Sequence, residues 1–139
     1  MDPAYLATPL LAWLAAGGLK FTLNSIRTGR LAFGLIGYGG LPSTHTAIVS
    51  SMAILVALRE GIGHPAFGVA ITLAFVVVLD AHSLRGQVGR QAAVINKLAA
   101  SQPDHQALRE RLGHSKLEIA AGIGVGAAVA VAVQWLLGR

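Results

Sequence analysis

Residues 117–137 read LEIAAGIGVGAAVAVAVQWLL, 21 residues with a single charge, Glu118. An α-helix needs roughly 17–25 predominantly apolar residues to cross the hydrocarbon core of a bilayer, and this run meets that length. Three further segments approach it: 4–19 (AYLATPLLAWLAAGGL), 43–58 (STHTAIVSSMAILVAL) and 65–81 (PAFGVAITLAFVVVLDA). The competing reading, a helix buried in a soluble core, applies to the shorter two, and composition decides between them. The chain is 54% hydrophobic and only 12% charged, about half the charged fraction of an ordinary soluble domain. The expected fold is therefore all-α: one domain over residues 1–139, an integral membrane bundle of about four transmembrane helices with short interfacial helices. Asp2, with no basic residue before the first apolar run, makes that run a retained span rather than a cleaved signal. In the last span Gly122, Gly126 and Ala130 recur every four residues, a spacing that lets helices approach closely.

The chain has no cysteine, which excludes disulfides, thiolate metal sites and cysteine nucleophiles. A net charge of +5 is compatible with nucleic acid. Few aromatic residues and a strongly positive mean hydropathy point instead to basic flanks at a lipid surface. Membrane lipids are thus the expected partners, and nucleic acid is not.

The connections differ in kind. Residues 59–64, REGIGH, form a tight turn, whereas 82–116 is long and polar. Within the latter, Val88, Ala92, Ile95 and Ala99 fall three or four apart, the pattern of a helix whose apolar stripe rests at the interface or on the bundle. Pro103 and Asp104 then interrupt it, and HQALRERLGH reads as a second short helix. With four spans, Lys20, Arg27, Arg30, Arg85, Arg90, Lys97, Arg109, Arg111 and Lys116 share one side, nine of the 11 Lys and Arg. Arg59 and Arg139 lie on the other. The positive-inside rule makes the basic face cytoplasmic.

Up-and-down topology brings the ionisable residues at the span ends to one membrane face: Lys20, His45, Asp80, Arg85, His114 and Glu118. Charges at a membrane boundary are costly and tend to mark function, although loops between spans are polar anyway. Singly, Lys20, Arg90, Lys97 and Arg109 read as ordinary flanking cations. The two histidines are more specific. PSTH, Pro42–His45, places Ser43 and Thr44 at a helix start, where free N–H groups and the helix dipole favour an anion. In GHSKLE, His114 and Glu118 are four apart and share a face if helical. A carboxylate so placed can fix a histidine's ring and tautomer for nucleophilic or general-base work, yet such pairs also occur on plain surfaces. His64 and His105 read as structural or exposed, and His82, near Asp80 and Arg85, stays open. A divalent metal would have several histidines with Asp80 and Glu118 to bind it. No two histidines show the close pairing of a helical zinc site, and the neighbouring arginines repel a cation. Phosphate fits the charge better, so no metal is expected.

These residues resemble the divergent branch of the type 2 phosphatidic acid phosphatase superfamily, which is related to acid phosphatases and vanadium-dependent haloperoxidases. The superfamily pattern is Lys-x6-Arg-Pro, then Pro-Ser-Gly-His, then Ser-Arg-x5-His-x3-Asp. Lys20 and Arg27 match the first part, with Thr28 in place of proline. Pro42–His45 matches the second, with Thr44 for glycine. His114 and Glu118 match the end of the third, with Glu for Asp. Arg109 misses the third part's arginine position by one, whereas DAHSLRG, Asp80–Gly86, is similar to the branch's Asp-Ala-x-Gly-Val-Arg element and nominates Arg85. The likeness spans about residues 20–126.

The resemblance implies metal- and cofactor-independent hydrolysis of a phosphorylated lipid or prenyl phosphomonoester in a bacterial inner membrane. It implies His114 as nucleophile, Glu118 as its carboxylate partner and His45 as general acid and then base. Lys20, Arg27, Ser43, Thr44 and Arg85 would hold the phosphate, with Asp80 in support. Two other classes remain: a non-catalytic protein that binds or moves an anionic lipid or phosphorylated metabolite, and an assembly subunit that uses the Gly122–Gly126 face. The thin bundle also makes a homodimer possible.

Overall fold

The computed structural model describes residues 2–32, 40–102, 105–110 and 112–138. Among them every regular element is helical: α1 (Pro3–Thr28), α2 (Thr44–Glu60), α3 (Pro65–Leu79), a π-turn (Asp80–Leu84), α4 (Arg85–Leu98) and α5 (Lys116–Leu137). Local chemistry sets the starts. Asp2, Ser43, His64 and Ser115 each cap a helix with a side-chain acceptor, and Pro3 and Pro65 occupy first-turn positions where no N–H is missed. Gly29, in the left-handed region at φ 66°, ends α1.

Among the described residues three helices are long and apolar enough to cross a membrane: Pro3–Thr28, the continuous Pro65–Leu98 rod, and Lys116–Leu137. The second expected span does form a helix, α2, but it is the interior one, packed by α1, α3 and α5. Its interior position explains its polarity. Ser43, Thr46, Ser50 and Ser51 are buried against protein, and the hydroxyls of Ser50 and Ser51 return to carbonyls one turn back (Ser50 to Thr46 O, 2.6 Å; Ser51 to Ile48 O, 2.8 Å). A helix enclosed by helices has no need of the long apolar side chains that lipid requires of its neighbours.

Small residues make the interior. Ala4, Thr8, Ala12 and Ala16 form the buried stripe of α1, and Gly122, Gly126 and Ala130 that of α5. The bulky residues Leu10, Trp13, Val69, Phe75 and Trp135 point outward. The spacing in the last span thus serves packing within the chain: Gly122 lies against Ser43 and Thr46, and Gly126 against Ala47 and Ser50. That use removes this stripe as the surface of an assembly subunit.

Two expectations about residues 82–116 are corrected. The third helix does not stop near residue 81 but runs on through the π-turn to Leu98. Residues 105–110 are not helical; they return along α4 as an extended strap. Asn96 holds this strap: its Oδ1 accepts the Leu108 N–H (2.8 Å) and its Nδ2 donates to Leu108 O (2.8 Å) and Glu110 Oε1 (2.8 Å). Gly89 lets the strap close in, since a Cβ there would sit 2.3 Å from Glu110 O. Pro103, Asp104, Arg111 and Arg139 lie outside the described residues.

At the opposite end of the bundle Arg59 joins three helices. It donates to Gln134 Oε1 (2.7 Å), pairs with Asp2 and lies over the Tyr5 ring at 5.5 Å. The start of α1, the last turns of α5 and the end of α2 therefore meet at this end. The polar helix starts meet at the other.

The α2–α5 seam makes a stability prediction. In Gly126→Ala the new Cβ would lie 2.2 Å from Ser50 Oγ and 2.6 Å from Ala47 O, an overpacking expected to cost about 1–3 kcal/mol. At Gly124, on the same helix, a Cβ meets nothing within 4 Å, and Gly124→Ala should be neutral or stabilising by up to about 1 kcal/mol. Denaturant titration in detergent, followed by circular dichroism, measures the pair; equal stabilities would contradict the seam.

Candidate active site

The site is built where α2 and α5, running parallel, begin side by side. A backbone bond joins them directly, Ser43 N–H to Glu118 O at 2.9 Å. Ser43 is fully buried, and its hydroxyl is engaged within the cap, accepting from Thr46 N (3.4 Å) and bonded to Thr46 Oγ1 (2.9 Å). The Ser43 carbonyl accepts Ala47 N–H (3.0 Å). Of the first-turn amides, those of Thr44 and His45 are left without an intrahelical partner, as helix geometry requires. Ser43 shapes this anion-attracting end, while its side chain is turned away into the cap.

The π-turn supplies the arginine. There the Arg85 N–H bonds to the Asp80 carbonyl, five residues back, so side chains five apart share a face. Asp80 Oδ2 accepts from Arg85 Nε at 2.9 Å across that turn. The bond fixes the guanidinium and leaves both of its Nη groups without a partner among the described residues. A π-turn inside a helix is often found at functional sites.

The same turn anchors His114. The Ala81 carbonyl, which an unbroken α-helix would present to Arg85 N–H, accepts the His114 N–H at 2.9 Å. Gly113 makes that approach possible. Its φ is 94°, and a Cβ would lie 3.1 Å from Gly86 N. His82, left open by the sequence, has Nδ1 3.5 Å from His114 O, beside the loop it helps frame. His64 caps α3, its Nδ1 accepting Ala66 N–H at 3.2 Å, and His105 meets Asn96 Oδ1 at 3.0 Å; both are structural.

His114 precedes α5 and does not share a helical face with Glu118. Ser115 is the N-cap, and Glu118 completes a capping box by accepting Ser115 N–H at 2.7 Å. His114 Nδ1 is buried with no hydrogen-bond partner among the described residues. The expected carboxylate–imidazole bond is therefore not formed, and Glu118 acts on His114 through its charge.

Electrostatics show which residues the fold brings together. His114 lies in the fields of Lys20, Glu118, His45 and Arg85, and His45 in those of Arg85, Lys20 and Asp80. Lys20, half-buried on α1, is in turn coupled to Glu118. Arg27 does not enter the field at either histidine. It lies seven residues beyond Lys20, on the same side of α1 but about 10 Å further along.

Helix rise sets the depth of this cluster. Lys20 is about 27 Å along α1 from Asp2, and His45 about 21 Å along α2 from Arg59. The first separation comes within a few ångströms of the roughly 30 Å hydrocarbon core, and the second falls about 9 Å short of it. The candidate site sits at one edge of it.

Sequence reasoning missed the π-turn, the Asn96 tether and the Arg59 clamp. The capping box had a signal, Ser-x-x-Glu at Ser115–Glu118, which competed with the His-x3-Glu reading.

A helical bundle of small-residue seams, with outward bulky residues and paired polar ends, defines an integral membrane protein with a polar cluster at one boundary. A family model for the Divergent PAP2 family matches residues 1–129, and the chain belongs to that family. It is 33% identical over 132 residues, 80% of this chain and 84% of the relative, to the uncharacterized membrane protein YuiD of Bacillus subtilis (strain 168). No solved structure matches.

Burial first, then the positive charge of Lys20, with smaller pushes from His45 and Arg85, holds the His114 imidazole below its ordinary pKa; Glu118 opposes them. Because the folded pKa is depressed, the neutral ring's contribution to stability is present above the unfolded value, about 6.5. It is lost as pH falls through the lower folded value. A 15N-histidine titration, with His114→Gln to assign the resonance, should give a midpoint below that of an unfolded-chain histidine. A midpoint at or above it would contradict the geometry.

Proposed function

We propose that this protein hydrolyses the phosphomonoester of a membrane amphiphile, a lipid or prenyl phosphate, through a phosphohistidine and without a metal. The observation that carries the reading is the meeting of His45, His114, Lys20 and Arg85 beside the open N-terminus of α2, at hydrocarbon-edge depth. Lys20 Nζ, the Arg85 Nη groups and the N–H groups of Thr44 and His45 hold the phosphate oxygens. Ser43 keeps that helix end in shape, Asp80 aims Arg85, and Arg27 draws the anion along α1 toward the cluster.

The neutral His114 ring attacks phosphorus. As the N–P bond forms and the ester O–P bond breaks, the leaving oxygen takes a proton from His45. Glu118 stabilises the positive charge left on the imidazole. His45, now neutral, removes a proton from water. That water attacks phosphorus, the N–P bond breaks, and inorganic phosphate and free His114 are released. The tail stays among the outward-facing apolar helices. The basic end faces the cytoplasm of a bacterial inner membrane, following the distribution of Lys and Arg.

One observation favours a second reading, binding without turnover: His114 Nδ1 has no carboxylate partner among the described residues. Purified protein in detergent, offered phosphatidate, a polyprenyl phosphate and a soluble phosphate ester with EDTA present, separates the two. Hydrolysis predicts phosphate release from the amphiphiles, inhibition by orthovanadate, and a fall in kcat of at least about a thousandfold in His114→Ala. In Arg85→Ala, KM rises. Saturable lipid binding with no release, surviving His114→Ala better than Arg85→Ala, selects the second reading. Full activity in His114→Ala overturns the first.

A further inference from the structure

The helix that carries the candidate arginine does not end at the site. From Arg85 it rises a further 13 residues to Leu98, about 20 Å, whereas the headgroup zone adds only roughly 5–8 Å to each side of the hydrocarbon core. Helix runs without interruption through the π-turn, and among the described residues α4 packs mainly on that turn rather than on α1, α2 or α5, so it extends beyond the bundle. Yet Leu84, Val88, Ile95 and Leu98 are exposed along it, at 57%, 44%, 47% and 78%. With Gln91, also exposed, they are spaced 4, 3, 4 and 3 residues apart, the alternation of a coiled-coil seam. The strap covers a different face, the one carrying Gly89, Ala92 and Asn96.

We propose that this stripe pairs in parallel with the same stripe of a second copy, making α4 the core of a homodimer. The seam residues select this occupant. Val88 and Ile95, both β-branched, fall at a and alternate with Leu84 and Leu98 at d, the set that favours two parallel strands, with Gln91 the one polar member of the stripe. Two copies inserted the same way in one membrane can only present α4 in parallel. Of the positions beside the seam, Gln87, Ala92, Val94 and Ala99 are uncharged, and the one charge, Arg85, is paired with Asp80 of its own helix. An anionic leaflet would instead call for cations flanking the stripe, but Arg90 and Lys97 project from a different side of α4. Two heptads alone would not hold in water. Here the membrane-embedded halves supply the effective concentration. With Val76 and Leu79 of α3 added, seven side chains burying on the order of 100 Å² each come close to the roughly 800 Å² per partner of a stable interface.

The chain has no cysteine, so single thiols report cleanly. Val88→Cys, Ile95→Cys, Arg90→Cys and Lys97→Cys are oxidised in proteoliposomes with copper phenanthroline. The first two should give disulfide-linked dimer at least about tenfold faster than the last two, and adding Ile95→Asp to Val88→Cys should remove that dimer while helicity is kept. Equal or absent crosslinking overturns the proposal. So does stronger quenching by doxyl-lipid of bimane on Ile95→Cys than on Lys97→Cys, which would place the stripe on the bilayer. Neither result depends on phosphatase activity.

Discussion

The close approach of α2 and α5 is the contact on which the rest depends. Gly122 and Gly126 bring the α5 backbone against Ser43, Ala47 and Ser50, nearer than any side chain would permit. In lipid such contact is favoured by van der Waals packing rather than by expulsion of water. Because the two helices run parallel and start level, the seam also aligns their N-termini. The Ser43–Glu118 backbone bond then locks that alignment. Two first turns, with unpaired amides and like-oriented dipoles, thus face one region of space. A seam built for packing has become an electrostatic feature.

The π-turn performs a comparable double task on the third side. One inserted residue shifts the helix phase, so that Asp80 meets Arg85 at a spacing an α-helix would hold apart. The same distortion presents the Ala81 carbonyl to His114. A cation and a candidate nucleophile 29 residues away along the chain are therefore referenced to one turn of backbone.

Much of this was legible in the sequence, and the remainder was hidden for identifiable reasons. Apolar length and scarce charge announced the helices, and the four-residue spacing of Gly122, Gly126 and Ala130 announced a close seam. The interior place of α2 was obscured, because its serines and threonines read as a weak span when they are buried polar groups satisfied by their own helix. The strap, rich in helix-forming residues, lost its helix to the hydrogen bonds of one side chain, Asn96, a tertiary preference that no local window contains. The phase of His114 and Glu118 was misread because a helical spacing was applied across a helix start. The DAHSLRG segment named both Asp80 and Arg85, but their ion pair, five residues apart, matches no regular helical period and was hidden.

The two ends of the bundle differ in a way that indicates which one receives a ligand. At the Arg59 end, Asp2, Gln134 and the Tyr5 ring surround the cation, and Glu60 is bonded to Tyr5. These contacts tie helix ends together, although Arg59 Nη2 is buried with no hydrogen-bond partner among the described residues. At the other end the carboxylates are occupied elsewhere, Asp80 with the Nε of Arg85 and Glu118 with the Ser115 amide. Among the described residues, that leaves Lys20 Nζ, the Arg85 Nη groups and two helix-start amides as donors without acceptors. Lys20 is half-buried and the Arg85 side chain is 40% exposed, so these donors are accessible to a ligand rather than closed within the protein. The orphan donor at the Arg59 end is sealed inside the protein, whereas those of Lys20 and Arg85 stay partly open, and this contrast supports the anion-binding role proposed for the site end.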